Sequence, residues 1–186
     1  MSNKGRLRQL TLYQTLKDKG NNTYILDNGP FLCNWENTWL GSGYYFWDTL
    51  VQNAHWWGKI RYGNKYIISS AQCDFNTELC FDLYGDMEHL SAFTEVRDFL
   101  LEKEEYTIET LTVARVINYL ISLDMFHYEA VRAYGVHSKR GKPEKVLFET
   151  GKRQFLNTSP AVQLCLYKKT SLNLREYTIY DQVDNT

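Results

Sequence analysis

The sequence predicts a mixed α+β domain, with strands in both halves of the chain and helices inserted in the middle. Alternating apolar and polar residues, the pattern of half-buried strands, occur in residues 6–15 and return from residue 126. Residues 91–123 instead carry apolar side chains at helical spacing. The chain also has fourteen tyrosines and five tryptophans, which suit strands, a stacking site, or both.

Composition narrows the class of protein. The chain has 186 residues, the size of one ordinary domain, so we expect residues 1–186 to form a single unit. Its formal charge of −1 gives no sign of a nucleic-acid or membrane binder. The four cysteines lack metal-ligand spacing, so we expect free thiols and no metal. A polar N-terminus and the lack of a long apolar run predict a cytoplasmic protein.

The first half of the chain is predicted to hold strands around one helix. Residues 6–15 alternate as a strand and lead into a polar stretch that must turn. Asp27-Asn28-Gly29-Pro30 is a strong turn signal. Asp48 is placed to cap a helix that runs to Trp57. The other strands of this half are predicted at 44–47, 65–74 and 78–85.

The second half of the chain is predicted to hold two helices followed by strands. One amphipathic helix is predicted over residues 91–103, and Thr107 is placed to cap a second that reaches Leu123. Residues 136–144 form the most basic stretch, which fits either a phosphate-binding segment or a plain surface loop. Strands are predicted at 126–135, 146–151, 161–167 and 175–181.

The densest part of the sequence is residues 41–57, which combine a glycine turn, an aromatic strand and the start of a helix. Gly41 and Gly43 allow close approach of another group to the backbone. The helix would bring Trp56 back toward Tyr45, eleven positions earlier, so that two aromatic planes could hold a flat ring between them. The alternative is that these aromatics fill an ordinary β-rich core.

The order Gly-x-Gly-Tyr-Tyr-Phe, with Asn53 eight and Trp56 eleven positions after Tyr45, resembles the nicotinamide-clamping segment of the ADP-ribosyltransferase superfamily. The resemblance is to the branch that contains diphtheria toxin and the poly(ADP-ribose) polymerases. It implies a split α+β fold in which two antiparallel sheets pack around an NAD cleft. It also implies that NAD is the substrate, with nicotinamide between Tyr45 and Trp56 and with Gly43, Tyr44 and Asn53 beside it.

Two amides stand where the superfamily has other residues. Its first strand ends in a His-Gly-Thr motif, whereas this chain has Tyr13-Gln14-Thr15, so the resemblance implies that Gln14 and Thr15 hold a ribose. The superfamily's catalytic Glu, at the start of a late strand, corresponds to Gln163. An amide offers no negative charge to the oxocarbenium ion that forms as nicotinamide leaves.

Another carboxylate would therefore have to supply that charge. Glu149, which we expect on a strand before Gln163, is preferred to Glu144 and Glu129. A competing alignment assigns the catalytic position to Glu176, because the residues around it also form a strand that begins with a Glu. The sequence leaves open which of the two strands corresponds to the catalytic one.

The resemblance implies a mono-ADP-ribosyltransferase in which Tyr45, Gln163 and Glu149 are catalytic. It would cleave the nicotinamide–ribose bond and transfer ADP-ribose to a protein, a nucleic acid or a small molecule. The main alternative is a pseudoenzyme that binds NAD or ADP-ribose as a sensor or interaction module, since the acidic residue is replaced. A third interpretation is a structural or partner-binding domain whose aromatics are core.

Overall fold

The computed structural model describes residues 7–35, 38–123, 126–135 and 144–184, so most of the predicted basic stretch lies outside the described residues. These ranges form a mixed α+β structure that is mostly antiparallel, as the sequence predicts. Its strands are β1 (Arg8–Lys17), β2 (Tyr44–Asp48), β3 (Lys65–Phe75), β4 (Cys80–Asp82), β5 (Ala130–Tyr134), β6 (Lys145–Leu147), β7 (Phe155–Asn157), β8 (Val162–Leu166) and β9 (Arg175–Asp184). Its helices are α1 (Asn22–Asn28), α2 (Val51–Tyr62), α3 (Met87–Glu102) and α4 (Val113–Ser122).

Seven of the strands form one sheet in the order β4-β5-β8-β2-β1-β3-β9. All neighbours are antiparallel except β4 and β5, which run parallel because α3 and α4 form the crossover between them. Strands β6 and β7 form a separate hairpin. The resemblance implies two sheets around a cleft, whereas hydrogen bonding here is continuous from β4 to β9.

The large sheet is strongly curled. The guanidinium carbon of Arg132 on β5 lies 5.4 Å from the ring centre of Phe75 on β3. Three strands separate β5 from β3, so in a flat sheet these strands would be roughly 19 Å apart. The concave side, here called the inner face, therefore encloses an apolar core that includes Leu12, Phe46 and Leu164.

The opposite side, here called the outer face, carries the helices. Helix α2 covers Tyr13 and Trp47, and Ala54 is its buried contact. Helix α4 covers Tyr45 and Cys165 through Ile117. Within the described ranges, no helix combines the length and the apolarity that crossing a lipid bilayer requires.

Helix starts differ from the predicted ones for local reasons. Asp48 does not cap α2, because its side chain is buried in an ion pair on the inner face. Asp86 accepts hydrogen bonds from two backbone N–H groups and starts α3 four residues earlier than predicted, at Met87. Thr107 is held in a separate turn by Thr110, so Thr112 caps α4 instead. Helix α1 was not predicted; it begins at the end of the polar stretch that was expected to turn and ends within the turn signal Asp27-Asn28-Gly29-Pro30.

Candidate functional site

Two segments that lie far apart in the sequence meet on neighbouring strands of the outer face. Trp47 on β2 pairs with Gln163 on β8, and Gln163 pairs on its other side with Ala133 on β5. Paired residues of neighbouring strands point to the same face, so these three side chains form one row. Strand β9, with the exposed Glu176, pairs with β3 at the far edge of the sheet. Gln163 is therefore the residue that stands beside the aromatic strand.

Trp39 covers this row. Its indole N–H donates a hydrogen bond of 2.7 Å to the side-chain oxygen of Gln163. The ring can approach because residue 135 is glycine: a Cβ atom there would lie 2.8 Å from Cη2 of Trp39. The indole holds the Gln163 amide in one orientation.

The structure places the two predicted clamp rings in different clusters of the outer face. Trp56 lies edge-on to Trp47, with ring centres 6.1 Å apart, in the cluster beneath α2. Tyr45 packs in the cluster beneath α4. The Tyr45 hydroxyl accepts from the Leu40 N–H at 2.8 Å and donates to the Gly41 carbonyl at 2.7 Å. Burial raises the pKa of Tyr45 strongly, so this phenol stays protonated.

Gln14 lies on the inner face and is almost fully buried, with 6% of its surface exposed. Its amide pairs with the backbone of Phe31 on both sides, donating to the carbonyl and accepting from the N–H, each at 3.0 Å. The Tyr177 hydroxyl donates to the same side-chain oxygen at 3.0 Å. The predicted ribose ligand thus has its donor and its acceptor engaged within the protein.

Thr15 and Asn53 both anchor helix α2. The Thr15 hydroxyl donates to the carbonyl of Ala54 at 2.9 Å, which ties the helix to β1. The Asn53 amide is fully buried and donates to the carbonyl of Pro160 at 2.9 Å. This bond joins the helix to the loop that precedes β8, so Asn53 helps to set the distance between α2 and Gln163.

Gly43 and Tyr44 serve the packing of β2. A Cβ atom on Gly43 would lie 2.4 Å from the Cys165 sulfur and 2.7 Å from the Leu166 carbonyl oxygen. The close approach that this glycine allows is therefore to β8. Tyr44 faces the inner core.

The candidate carboxylates are not gathered at Gln163. Glu149 was expected on a strand, but β6 ends at Leu147, and Glu149 is exposed in the turn of the β6–β7 hairpin. Glu129 accepts from the backbone N–H of Leu172 at 2.9 Å, which is a structural contact. Glu144 is exposed at the base of the hairpin.

A buried charge cluster on the inner face was missed by the sequence prediction. Arg132 donates to Asp48 at 2.7 Å and to both oxygens of Asp82 at 3.1 Å. Burial alone would lower the pKa of Arg132, but the two carboxylates outweigh it and raise that pKa. The signal was an arginine in the apolar run Ala130-Val-Arg-Ala. The cluster fastens β2, β4 and β5 together.

A cleft of about 710 Å³ opens beside the glycine turn that precedes β2. One wall is formed by Trp35, Thr38 and Ser42 with their described neighbours, and the other is the start of α4. Among the described lining residues, Arg115 is the charged one. The described residues that line it are Asn34, Trp35, Thr38, Gly41, Ser42, Thr110, Thr112, Ala114, Arg115 and Asn118.

Comparisons with protein-family models, with curated proteins and with solved structures found no match for this chain. Among the residues that the structure describes, no three His, Cys, Asp or Glu side chains are grouped as a metal site. All four cysteines are free, as predicted, and Cys73, Cys80 and Cys165 are buried.

Proposed function

We propose that this protein binds NAD, or its ADP-ribose part, on the outer face beside Trp47 and Gln163. The observation that carries the proposal is that β2 and β8 are neighbours, with Trp47 opposite Gln163 and Trp56 against Trp47. The two segments that resemble the clamp and the catalytic strand of the ADP-ribosyltransferases thus lie side by side. On this proposal the curled sheet is a divergent form of the split fold of that superfamily.

The 710 Å³ cleft supports the same proposal. It opens at Gly41 and Ser42, directly before the aromatic strand, and its volume lies within the usual range for small-molecule sites. Its hydroxyl and amide side chains, with Arg115, suit an anionic and hydroxylated ligand such as the rest of a dinucleotide.

We further propose that the protein is a binding module with little transferase activity. Bond cleavage in NAD leaves a positive charge on the ribose, and a nearby carboxylate is the usual means to stabilise it. Gln163 is neutral, and its side-chain oxygen already accepts a hydrogen bond from Trp39. Glu149 lies in an exposed turn, and Glu129 is bonded to the backbone. The geometry therefore favours ligand binding over turnover, and the role is that of an NAD sensor or interaction module.

Nicotinamide release from NAD tests this function. The wild type should release it slowly, while Gln163→Glu should release it about tenfold faster or more, because a carboxylate can keep the bond from Trp39 and add the missing charge. The matched control is Gln9→Glu, on an exposed part of β1, which should not change the rate. Rapid release by the wild type would show a working transferase or hydrolase instead. No gain with Gln163→Glu would contradict the assigned place of Gln163.

A further inference from the structure

A cluster of exposed apolar side chains lies on the β6–β7 hairpin. Five of them are at least 39% exposed: Val146, Leu147, Phe148, Phe155 and Leu156, with Phe148 at 73%. Val146 pairs with Leu156, and Leu147 pairs with Phe155, so both faces of the ribbon are apolar. A two-stranded hairpin in water is only marginally stable by itself, and an exposed patch of this kind marks an interaction surface.

The apolar surface continues from the hairpin to the start of helix α3. The Asn157 amide donates to the Tyr134 hydroxyl at 2.8 Å, and the Tyr134 ring lies 5.8 Å from that of Tyr84. Both tyrosines are more than a third exposed. Tyr84 leads into α3, whose first residue, Met87, is 66% exposed. The hairpin apolar residues, Tyr134, Tyr84 and Met87 are together called the edge patch.

The segments at the two ends of the edge patch, helix α3 and the β6–β7 hairpin, carry opposite net charge. Residues 86–102, which are α3 and its cap, contain five acidic side chains and one basic, a net charge of −4. Residues 144–157 contain three basic and two acidic side chains, a net charge of +1. Helix α3 also buries only Leu100 fully, and its Met87, Leu90 and Phe99 side chains are exposed.

We propose that the edge patch is the interface of a homodimer. A two-fold axis near Tyr84 and Tyr134 would place the hairpin of each chain on helix α3 of its partner. In such an interface the same patch serves both copies, so it must be complementary to itself. The edge patch meets this condition, because its basic end would face the acidic end of the other copy. An anionic membrane is a poorer fit, since the carboxylates of α3 would face the lipid.

Sedimentation velocity tests the dimer. The wild type should sediment as a dimer that dissociates on dilution, and added salt should weaken it. Phe148→Ser combined with Met87→Ser should raise the dissociation constant about tenfold or more, because both side chains would leave the interface. Both are exposed in the monomer, so the variant should fold, which circular dichroism would verify. Leu26→Ser, on α1, is the control that should leave the dimer unchanged, since Leu26 is 47% exposed but outside the edge patch.

A charge exchange sharpens the test. Lys152→Glu with Arg153→Glu changes the hairpin charge from +1 to −3, and Glu88→Lys, Glu95→Lys and Asp98→Lys together change that of α3 and its cap from −4 to +2. Each variant should be monomeric alone, because like charges would meet, and a mixture of the two should form heterodimers. A wild type that stays monomeric at every concentration would overturn the proposal. So would a dimer that survives the Phe148 and Met87 substitutions, or wild-type monomers that sediment with anionic vesicles. None of these outcomes depends on NAD binding.

Discussion

At the residue scale, the buried Gln14 side chain joins separate segments of the chain by hydrogen bonds. Its amide closes hydrogen bonds to both backbone groups of Phe31 and accepts one from Tyr177. These bonds join β1, the segment after α1, and β9, which are far apart in the sequence. Gln163 instead lies on the outer face, where its side-chain oxygen accepts a hydrogen bond from the Trp39 indole and a ligand can compete for the same oxygen.

Gln14→Ala should lower the free energy of unfolding by about 2 kcal/mol or more, since it leaves several polar groups near Phe31 and Tyr177 without a partner. Equilibrium unfolding in urea measures this, with the exposed Gln9→Ala on the same strand as the control. NAD affinity should change little. A variant with normal stability and weakened NAD binding would show that Gln14 is a ligand contact.

The sequence could not distinguish an amide that holds the fold together from one that faces a ligand, because an amide on a strand suits either role. The wrong prediction for Asp48 has a similar cause. A carboxylate before a helical pattern favours a cap, and the buried partner that overrides this, Arg132, lies 84 residues later. Only the fold brings such groups together.

At the element scale, helix α2 sets the width of the candidate site. It is anchored through Thr15 and Asn53 and lies closely on β3 at Gly58. A Cβ atom at Gly58 would lie 2.6 Å from the ring of Tyr66, which is fully buried.

Gly58→Ala should therefore destabilise the protein by about 1–3 kcal/mol, although the same change in an open helix is normally stabilising. The steric overlap with Tyr66 is the cause. Thermal or urea unfolding measures it, and Gln52→Ala, on the exposed side of α2, should be close to neutral. A more stable Gly58→Ala variant would mean that α2 lies farther from the sheet than described.

The order of strand and helix around β2 and α2 was predictable, because an aromatic run and the polar start of a helix are local signals. The predicted strands at β1, β3, β5, β8 and β9 are also present. The order of the strands in the sheet was not predictable, and neither was its curl, since both depend on pairings between distant segments. Starts of helices α3 and α4 were missed because several residues competed as caps.

At the scale of the whole molecule, the curled sheet and the helices that cover it bury ionisable groups that stay neutral. Burial, the largest cause, raises the pKa of the Cys73 and Cys165 thiols and of the Tyr177 hydroxyl to about 12. Thiols in the unfolded chain ionise near their ordinary value of about 9. Above that pH the folded state holds more protons than the unfolded state, so stability falls as pH rises.

We therefore expect the free energy of unfolding to decrease between about pH 9 and pH 12, with full stability below this window. Each buried thiol should contribute a slope of at most about 1.4 kcal/mol per pH unit. Denaturant unfolding at a series of pH values measures the slope, and Cys73→Ala should reduce it. A flat profile across this range would contradict the burial of these groups.

The central claim is that the outer face binds NAD, and calorimetric titration with NAD tests it most directly. The wild type should show saturable binding, and Trp56→Ala should weaken it about tenfold or more, because an aromatic stacking surface is lost. Tyr24→Ala, which removes an exposed aromatic ring on α1, should bind like the wild type. Absence of saturable binding to the wild type, or equal binding by Trp56→Ala, would contradict the account.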